Sequence, residues 1–468
     1  MKYLRRFFTV DALIPKRIRK APLPSTKEAY STAFQMAWPS SLEMVLIGLI
    51  GSADLIMVSH LGSNAIAATG ITTQPKFILL SIVMALNTGL TVIISRRKGQ
   101  NRADEANKIL SNALIMSVSI SLLMTLIGYF YAEPILKIAG ATSDYLDLAI
   151  VYFRIIVIGN FFTAISMTLT SAQRGAGNTK ISLITNLSAN IVNAFFNYFL
   201  INGVWIFPEL GVAGAAVATL LGNIVGFVIA IYSITHNTEF ISLNFKRTFN
   251  IDFRRWLELI RVSSSAFVEQ IFIRGGFLMF SIILANLGTD KFATHQILMN
   301  ILNIAFAVGE GLSIASSTLV GVNLGKERPD LAMMYSLILQ RIGLFTAIIL
   351  GLNLIVFRDI ILSLFSQGSS VVLELGSPIM FVVGLTVSFQ VLGTITIGTL
   401  RGGGDLKFTA LLMMICIGVV RPLSGYMFTF VLNGGLVGAW FAILLDQMLR
   451  TIASQKRFKD GAWLHIKI

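Results

Sequence analysis

The stretch WPSSLEMVLIGLIGSADLIMVSHLGSNAIAATG, Trp38–Gly70, decides the fold of this chain. Its first part is long and apolar enough to predict a helix that crosses a membrane, yet it carries two acids, Glu43 and Asp54. A carboxylate in such a segment is costly because hydrocarbon cannot solvate its charge, so these acids point to a function. They are eleven positions apart. This is about three helical turns, which places them on one face roughly 16 Å apart.

A second stretch repeats this layout 226 positions later. It reads SAFVEQIFIRGGFLMFSIILANLG, Ser265–Gly288. In this register Leu287-Gly288 falls on Leu61-Gly62 of the first stretch, and Glu269 falls on Glu43. Two segments that place an acid at the same depth predict a paired membrane protein.

The duplication continues along the chain. SAQRGAGNTK (171–180) matches TLRGGGDLK (399–407) at an offset of 227, and GVAGAAVATLLGN (211–223) matches GLVGAWFAILLDQ (435–447) at an offset of 224. Coincidental similarity of apolar segments would explain the composition but not the RG-x-G motif at matching positions. The sequence therefore predicts two halves built from one repeat.

Composition predicts the broad class of the protein. Of 468 residues, 55% are hydrophobic and 13% charged, and the mean hydropathy is +0.76. A soluble protein this apolar could not cover its surface with polar groups, so we expect a polytopic membrane protein. The net charge of +14 comes from basic residues in short loops and at the ends, which indicates topology and contact with lipid headgroups rather than nucleic acid. With one cysteine and four histidines, neither an intrachain disulfide nor a common metal cluster is expected.

Hydropathy predicts an all-α polytopic fold of twelve transmembrane helices in two pseudo-symmetric six-helix lobes. The expected spans lie near 30–58, 66–94, 109–131, 145–171, 181–202, 211–235, 258–286, 292–320, 331–356, 371–399, 408–432 and 435–454. The expected domains are a basic N-terminal segment (1–29), an N-lobe (30–235), a linker (236–257), a C-lobe (258–454) and a tail (455–468). Six spans in each half give parallel repeats, a layout typical of secondary transporters with a central site.

The basic residues also predict the orientation in the membrane. Lys and Arg are concentrated in the two ends and in every second loop, whereas the alternate loops hold Lys137, Lys291 and Arg358. Positive loops stay inside, so both termini are expected to be cytoplasmic in a multi-pass protein of the cell membrane. No cleavable signal peptide is expected, and Tyr3–Ile14 could lie on the membrane surface as a short basic helix.

Several motifs resemble those of one transporter family. They are DLIMVSHLGSNAIAATG (54–70), EPILKIAGA (133–141), QRGAGNTK (173–180) and GVAGAAVAT (211–219), in that order. Together they resemble the multidrug and toxic compound extrusion (MATE) family. The resemblance implies twelve helices in two lobes around a large cavity, and antiport of organic cations against protons or sodium ions.

The resemblance also implies roles for the buried acids. Asp54 matches the first-helix aspartate that the family uses for cation coupling, and Glu269 matches the seventh-helix acid of many members. Glu43 is the repeat mate of Glu269 and a weaker candidate for coupling. Each could instead be a structural carboxylate, and Arg274 could neutralise Glu269. No cofactor and no metal are expected, apart from a possible sodium ion near Asp54.

Four asparagines of the fifth span recur at helical spacing, and one more acid lies in the eighth span. Asn186, Asn190, Asn193 and Asn197 fall on one helical face, which must meet other polar groups because lipid offers none. In the family this face borders the N-lobe cavity, so the last three are candidate partners of the coupling acid. They could equally form amide bonds that hold helices together. Glu310, between two glycines, is a candidate cavity acid or a pore-edge acid.

Two positions depart from the family pattern. Gln390 stands where many members carry a tenth-span aspartate, and Asn197 stands where one branch carries a fifth-span aspartate. These departures favour coupling to protons, or a reduced site at Asp54. Outside the motifs, Asp446 is expected to pair with Arg450 one helical turn later. Arg154, Arg341 and Arg421 are left without an assigned role.

We therefore expect an antiporter that exports organic cations, not an enzyme. Its expected partners are small organic cations and membrane lipids, with no nucleic acid, and a monomer is expected. A flippase for lipid-linked saccharides would share the wider fold but should show a strongly cationic cavity. A channel or a membrane-embedded enzyme is the remaining alternative, and the absence of catalytic motifs weighs against the enzyme.

Overall fold

The computed structural model describes residues 9–15, 19–236, 240–243, 251–366 and 370–466; within these, the side chains of 50–56, 59, 63, 289 and 366 are not described. Regular structure in the described part is helical. The first half contains α1 (Val10–Leu13), α2 (Thr26–Ser59), α3 (Ser63–Gly99), α4 (Ala103–Phe130), α5 (Ala132–Ile138), α6 (Leu146–Gly175), α7 (Thr179–Asn202) and α8 (Gly211–His236). The second half contains α9 (Phe253–Ala285), α10 (Thr289–Gly325), α11 (Pro329–Val356), α12 (Arg358–Ser366), α13 (Ser370–Gly376), α14 (Ile379–Gly402), α15 (Leu406–Ile415), α16 (Arg421–Tyr426) and α17 (Gly435–Asp460).

A π-helical segment, Cys416–Val420, joins α15 to α16, and a second one, Met427–Val431, follows α16. Together they form one continuous run, Leu406–Val431, which we call the eleventh span. The predicted tenth span, 371–399, is divided between the short α13 and the long α14, with a break at Ser377-Pro378. A short 3₁₀ turn, Ala462–His465, follows α17.

Ten of the described helical runs are long and apolar enough to cross a membrane. They are α3, α4, α6, α8, α9, α10, α11, α14, the eleventh span and α17. The other two predicted spans are also long helices, α2 with 34 residues and α7 with 24. Five asparagines lower the hydropathy of α7, and part of α2 lies outside the described side chains.

The chain divides into two compact units. The N-terminal unit is residues 46–267, and the C-terminal unit is residues 1–45 together with 268–468. This division differs from the predicted lobes at residues 258–267, which group with the first half, and at residues 30–45, which group with the second half. For residues 30–45 the reason is local packing, because the Ser41 hydroxyl donates to the carbonyl of Val308 at 3.3 Å, and Gly311 lies against the backbone of Ser41.

Small residues allow close helix packing inside the N-terminal unit. A Cβ at Gly214 would collide with the carbonyl of Leu200, and a Cβ at Gly222 would collide with that of Ala189. Both glycines are on α8 and both carbonyls are on α7. Without a hydrophobic drive between helices in lipid, such contacts supply the van der Waals energy that holds the pair together.

A buried polar network joins four helices of the C-terminal unit. Thr399 on α14 hydrogen-bonds Ser316 on α10 and Ser336 on α11, each at 2.7 Å. Gln455 on α17 donates to Gln340 on α11 at 3.0 Å and to Thr396 on α14 at 2.8 Å. Because lipid cannot satisfy these groups, pairing among themselves fixes the register of the four helices.

The backbone preserves the predicted repeat. Residues with left-handed φ recur in pairs at the offsets seen in the sequence, 226 for Gly62 and Gly288, 227 for Gly177 and Gly404, and 224 for Gly211 and Gly435. Their φ values agree within each pair, at 97° and 99°, 92° and 91°, and 54° and 53°. L-residues with a Cβ rarely adopt these angles, so the glycines preserve the same helix ends in both halves.

The N-terminal segment packs into the protein rather than lying free at its surface. Val10, Leu13 and Ile14 are at most 7% exposed and belong to the core of the C-terminal unit. The backbone N–H of Lys20 donates to Asp330 at 3.2 Å. The expectation of a membrane-surface helix over Tyr3–Ile14 is therefore wrong for residues 10–14, because Val10, Leu13 and Ile14 are buried in a protein core. Residues 3–8 lie outside the described residues.

Candidate functional site

The two acids of the first span lie on α2 in different units. Glu43 belongs to the C-terminal unit and is 1% exposed. Asp54 lies eleven residues further along the same helix, in the N-terminal unit, and its side chain is outside the described ones. Both acids lie within one helix, Thr26–Ser59, and the shared face that their spacing of eleven residues predicts stays a prediction.

The segment around Glu43 packs directly against the segment around Glu310. Gly311 on α10 fits against the backbone of Ser40 and Ser41 on α2, where a Cβ would collide. Gly309, on the other side of Glu310 in the sequence, packs against Val391 of α14. The two glycines beside Glu310 thus serve close helix packing, and Glu310 itself is half-buried.

Glu269 forms an ion pair with Arg401, a partner that the sequence pattern does not predict. On α9 it is 1% exposed, and one carboxylate oxygen accepts from a guanidinium NH of Arg401 at the end of α14. The carboxylate oxygen Oε2 of Glu269 and Nε of Arg401 are buried without a hydrogen-bond partner among the described residues. The alternative in which Arg274 neutralises Glu269 is not what the ion pairs show. The sequence signal for Arg401 is its place in the repeated RG-x-G motif, which indicates a duplication but not the partner of its arginine.

Gln390, predicted to stand where many family members carry an acid, is a buried residue of α14. It is 9% exposed on α14, and its Oε1 has no hydrogen-bond partner among the described residues. The preceding carbonyl, that of Phe389, accepts from the Thr451 hydroxyl of α17 at 2.7 Å. The position is therefore a buried polar site with a neutral side chain, which cannot supply the charge of a carboxylate.

The asparagine face of α7 contributes to packing between helices. Asn193 donates to the Thr219 hydroxyl of α8 at 3.1 Å, and Asn197 donates to Asn193 at 3.4 Å. Both are at most 5% exposed, whereas Asn186 and Asn190 are half-buried. The hydrogen bonds support the structural interpretation for Asn193 and leave its second interpretation, as a partner of the coupling acid, a prediction.

A second group of paired charges, formed by Asp446 and two arginines, lies inside the C-terminal unit. Asp446 pairs with Arg450 at 3.0 Å, as its spacing predicts, and also with Arg421, whose Nε donates to it at 2.9 Å. Both arginines use the same carboxylate oxygen, and Asp446 is fully buried. Arg421 was left unassigned by sequence analysis because its partner lies 25 positions away on another helix.

The MatE family model matches residues 39–199 and 265–427, one match in each half of the repeat and well over half of the chain. The chain belongs to the MATE family. It is 26% identical to an uncharacterized transporter, YisQ, of Bacillus subtilis, over 92% of this chain and 94% of that protein. It is also 26% identical to a probable multidrug resistance protein, NorM, of Thermotoga maritima, over 94% of this chain and 95% of that protein.

Solved structures agree on the fold. An outward-facing multidrug resistance MATE transporter superposes with a TM-score of 0.86 at 20% identity, covering 92% of this chain and 96% of that one. A transporter of the same superfamily from Pyrococcus furiosus, described as having a binding pocket of reverse polarity, gives a TM-score of 0.87 at 19% identity and covers 94% of this chain and 97% of that one. The predicted all-α transporter fold is confirmed.

Membership of the MATE family makes the protein a multidrug efflux transporter that handles small molecules. Family members are transporters rather than enzymes, so this prediction is also confirmed. The apolar helices place the chain in a membrane as a multi-pass protein.

Proposed function

We propose that this MATE transporter exports organic cations from the cell in exchange for protons or sodium ions, by alternating access across the cell membrane, with both termini in the cytoplasm. The observation that carries the proposal is the family match in both halves, together with a relative named as a probable multidrug resistance protein that aligns with 94% of the chain. The concentration of Lys and Arg at the ends and in alternate loops supports the orientation.

Asp54 is the proposed coupling residue. A carboxylate within a membrane helix needs a counter-charge, which a proton, a sodium ion or a cationic substrate can supply. Because these ligands satisfy the same charge, binding of the coupling ion disfavours binding of the substrate. Exchange then requires only that the two ligands prefer different conformations of the transporter.

Glu269 is proposed as a second coupling acid, at which Arg401 competes with the coupling ion for the carboxylate. Arg401 already supplies its counter-charge at Oε1, so a proton or cation must compete with this guanidinium for the carboxylate. Its unpartnered Oε2 leaves one oxygen able to accept a ligand without complete separation of the pair. Glu43, buried against α10 near Glu310, is a weaker candidate of the same kind.

The neutral side chains of Gln390 and Asn197 are the basis for choosing between protons and sodium ions. Gln390 and Asn197 replace acids that other members use, so the C-terminal unit lacks one carboxylate and α7 lacks another. A sodium ion needs several oxygen ligands, whereas a proton needs a single carboxylate, so we propose protons as the coupling ion. Asn190, Asn193 and Asn197 are proposed as polar partners on the N-terminal side, and a monomer in contact with membrane lipids as the working form.

The test is transport of a fluorescent organic cation by purified protein in proteoliposomes. A proton gradient or a sodium gradient is imposed separately, with the membrane potential clamped, and protein-free liposomes serve as the control. The proposal predicts movement of the cation against its gradient under the proton gradient alone. Movement under sodium alone would support export but contradict the proposed choice of ion.

Absence of movement under both gradients would overturn the proposal. A flippase for an anionic or saccharide-linked lipid would then be tested with a labelled lipid in the same vesicles. A conductance that is independent of either gradient would instead indicate a channel.

A further inference from the structure

A cluster of three ionic side chains lies inside the C-terminal unit and is not used in the proposed export mechanism. We call Arg421, Asp446 and Arg450 the arginine cluster. Arg421 donates to Asp446 Oδ2 through Nε at 2.9 Å, and Arg450 donates to the same oxygen through Nη2 at 3.0 Å. The side chains of the three residues are 3%, 0% and 10% exposed.

The charges of the cluster do not balance. Two guanidiniums and one carboxylate leave one net positive charge, on helices that cross the membrane. Among the described residues, the titratable groups that face the cluster from neighbouring segments are Cys416 of the first π-helical segment and His295 of α10, and neither carries a negative charge in its usual form. A buried charge without a partner is costly, so the cluster favours one further negative charge.

Hydrogen-bonding capacity is also left over in the cluster. The Nε of Arg450 and the Oδ1 of Asp446 are buried and have no partner among the described residues. Nη1 of Arg450 reaches only the Met413 sulfur, at 3.5 Å, which is a weak acceptor. Because both arginines use one oxygen of Asp446, donors of Arg450 remain for a second acceptor.

The backbone and one aromatic ring hold Arg421 in place. The π-helical segments Cys416–Val420 and Met427–Val431 lie on both sides of Arg421-Pro422. Single-turn π segments are rare and occur often at functional sites. The guanidinium of Arg421 also lies 5.0 Å from the centre of the Phe277 ring of α9. This cation–π contact fixes its orientation while leaving the charge uncompensated.

We propose that the arginine cluster is a binding site for one monovalent anion, with the chemistry of a carboxylate group or a halide ion. A single negative charge balances the cluster, whereas a dianion would exceed it. The site is separate from the proposed exchange of cations and does not depend on it. The anion could be free chloride or the carboxylate of a small organic molecule, and the experiment distinguishes these sources.

The test is the thermal stability of the purified full chain in lipid nanodiscs during titration with sodium chloride, sodium acetate or sodium benzoate. Sodium sulfate at equal ionic strength is the reference. An anion that binds the folded protein raises its Tm in a saturable way. A rise with chloride alone supports a free halide, and a rise with acetate or benzoate supports a carboxylate ligand. Equal behaviour in all four salts would overturn the proposal.

Variants locate the site. In Arg450→Gln the half-saturating anion concentration should rise tenfold or more. Arg457→Gln, on the same helix and paired with Asp405 at 2.7 Å, is the matched control and should keep the wild-type response. An unchanged response in Arg450→Gln would place the anion elsewhere and overturn the proposal.

The variant Asp446→Asn serves if loss of an arginine prevents folding. It raises the net charge of the cluster to two, so the half-saturating anion concentration should fall tenfold or more, and anion should restore part of any lost Tm. A cluster that only fastens helices together would give a less stable protein with no greater response to anions. That result would contradict the proposal.

Discussion

The fifth and eleventh spans occupy the same place in the repeat, yet they are held to the next helix by different chemistry. In the first half α7 is joined to α8 by neutral groups, Asn193 and Thr219. In the second half the eleventh span is joined to α17 by the arginine cluster. The first is a continuous α-helix, whereas the second contains two π-helical segments.

The steric part of the two contacts is the same in both halves. Gly214 of α8 fits against the carbonyl of Leu200, and Gly438 of α17 fits against the carbonyl of Phe428. These glycines are related by the repeat offset of 224. The comparison indicates that close backbone packing was retained after duplication, while the electrostatics of the two helix pairs diverged.

The largest effect is expected at Asp446. Replacing it by alanine leaves Arg421 and Arg450 buried without a counter-charge, and breaking a buried pair in this way costs about 3–5 kcal/mol. The free energy of unfolding, measured by denaturant titration in detergent micelles, should fall by this amount or the protein should fail to accumulate. A loss of less than about 1 kcal/mol, typical of exposed pairs, would show that the cluster is not buried as described.

Replacement of Gly214 or Gly438 by alanine should lower the free energy of unfolding by equal amounts, smaller than the loss at Asp446. In Gly214→Ala and Gly438→Ala the new Cβ meets a helix carbonyl, and overpacking of this kind costs about 1–3 kcal/mol. The same unfolding measurement should give losses that agree within about 1 kcal/mol. A large loss in one half alone would mean that the steric contact was not conserved between the repeats. Gly275→Ala is a control, since a Cβ there meets no atom within 4 Å.

A still smaller loss is expected at Asn193. Its replacement by alanine removes the hydrogen bond to Thr219, and such bonds between membrane helices average about 0.6 kcal/mol with a maximum near 1.7. The double-mutant cycle with Thr219→Val isolates the pairwise contribution. A coupling of several kcal/mol would mean that the amide contact is as strong as the ionic one.

The smallest effect is expected at an exposed ion pair. Lys137 donates to Glu133 at 2.6 Å on the surface of α5, and this hydrogen bond lowers the pKa of the Glu133 carboxyl. The pair therefore contributes at neutral pH and loses its contribution as the pH falls through the lowered pKa. Because solvent screens it, Lys137→Ala should leave the Tm unchanged within error at pH 7 and at pH 3. A clear pH-dependent difference would contradict this.

Much of the fold was predictable because it depends on local pattern. The spacing of apolar segments gave the spans, and the repeat offsets found the glycines whose φ values agree in the two halves. Asp446 and Arg450 were predictable because residues four apart share a helix face. The break between α13 and α14 was missed, since the hydropathy there is continuous although Pro378 interrupts the helix.

The tertiary partners were not predictable in this way. Arg401 reaches Glu269 across 132 positions, and Arg421 reaches Asp446 from another helix. A sequence shows that a buried arginine needs a partner but not which acid its helix will meet. The N-terminal segment was misplaced for a related reason, because basic residues around it indicated a lipid surface while Val10 and Leu13 fill a core.

The most direct test of the proposed function is coupled export by Asp54→Asn in proteoliposomes, at protein amounts matched to the wild type. Glu133→Gln, which removes an exposed acid, is the matched control. Our account predicts that Asp54→Asn folds with a Tm close to that of the wild type and shows no export driven by the proton gradient, while Glu133→Gln exports at the wild-type rate. Wild-type export by Asp54→Asn would contradict the account and exclude Asp54 from the coupling mechanism.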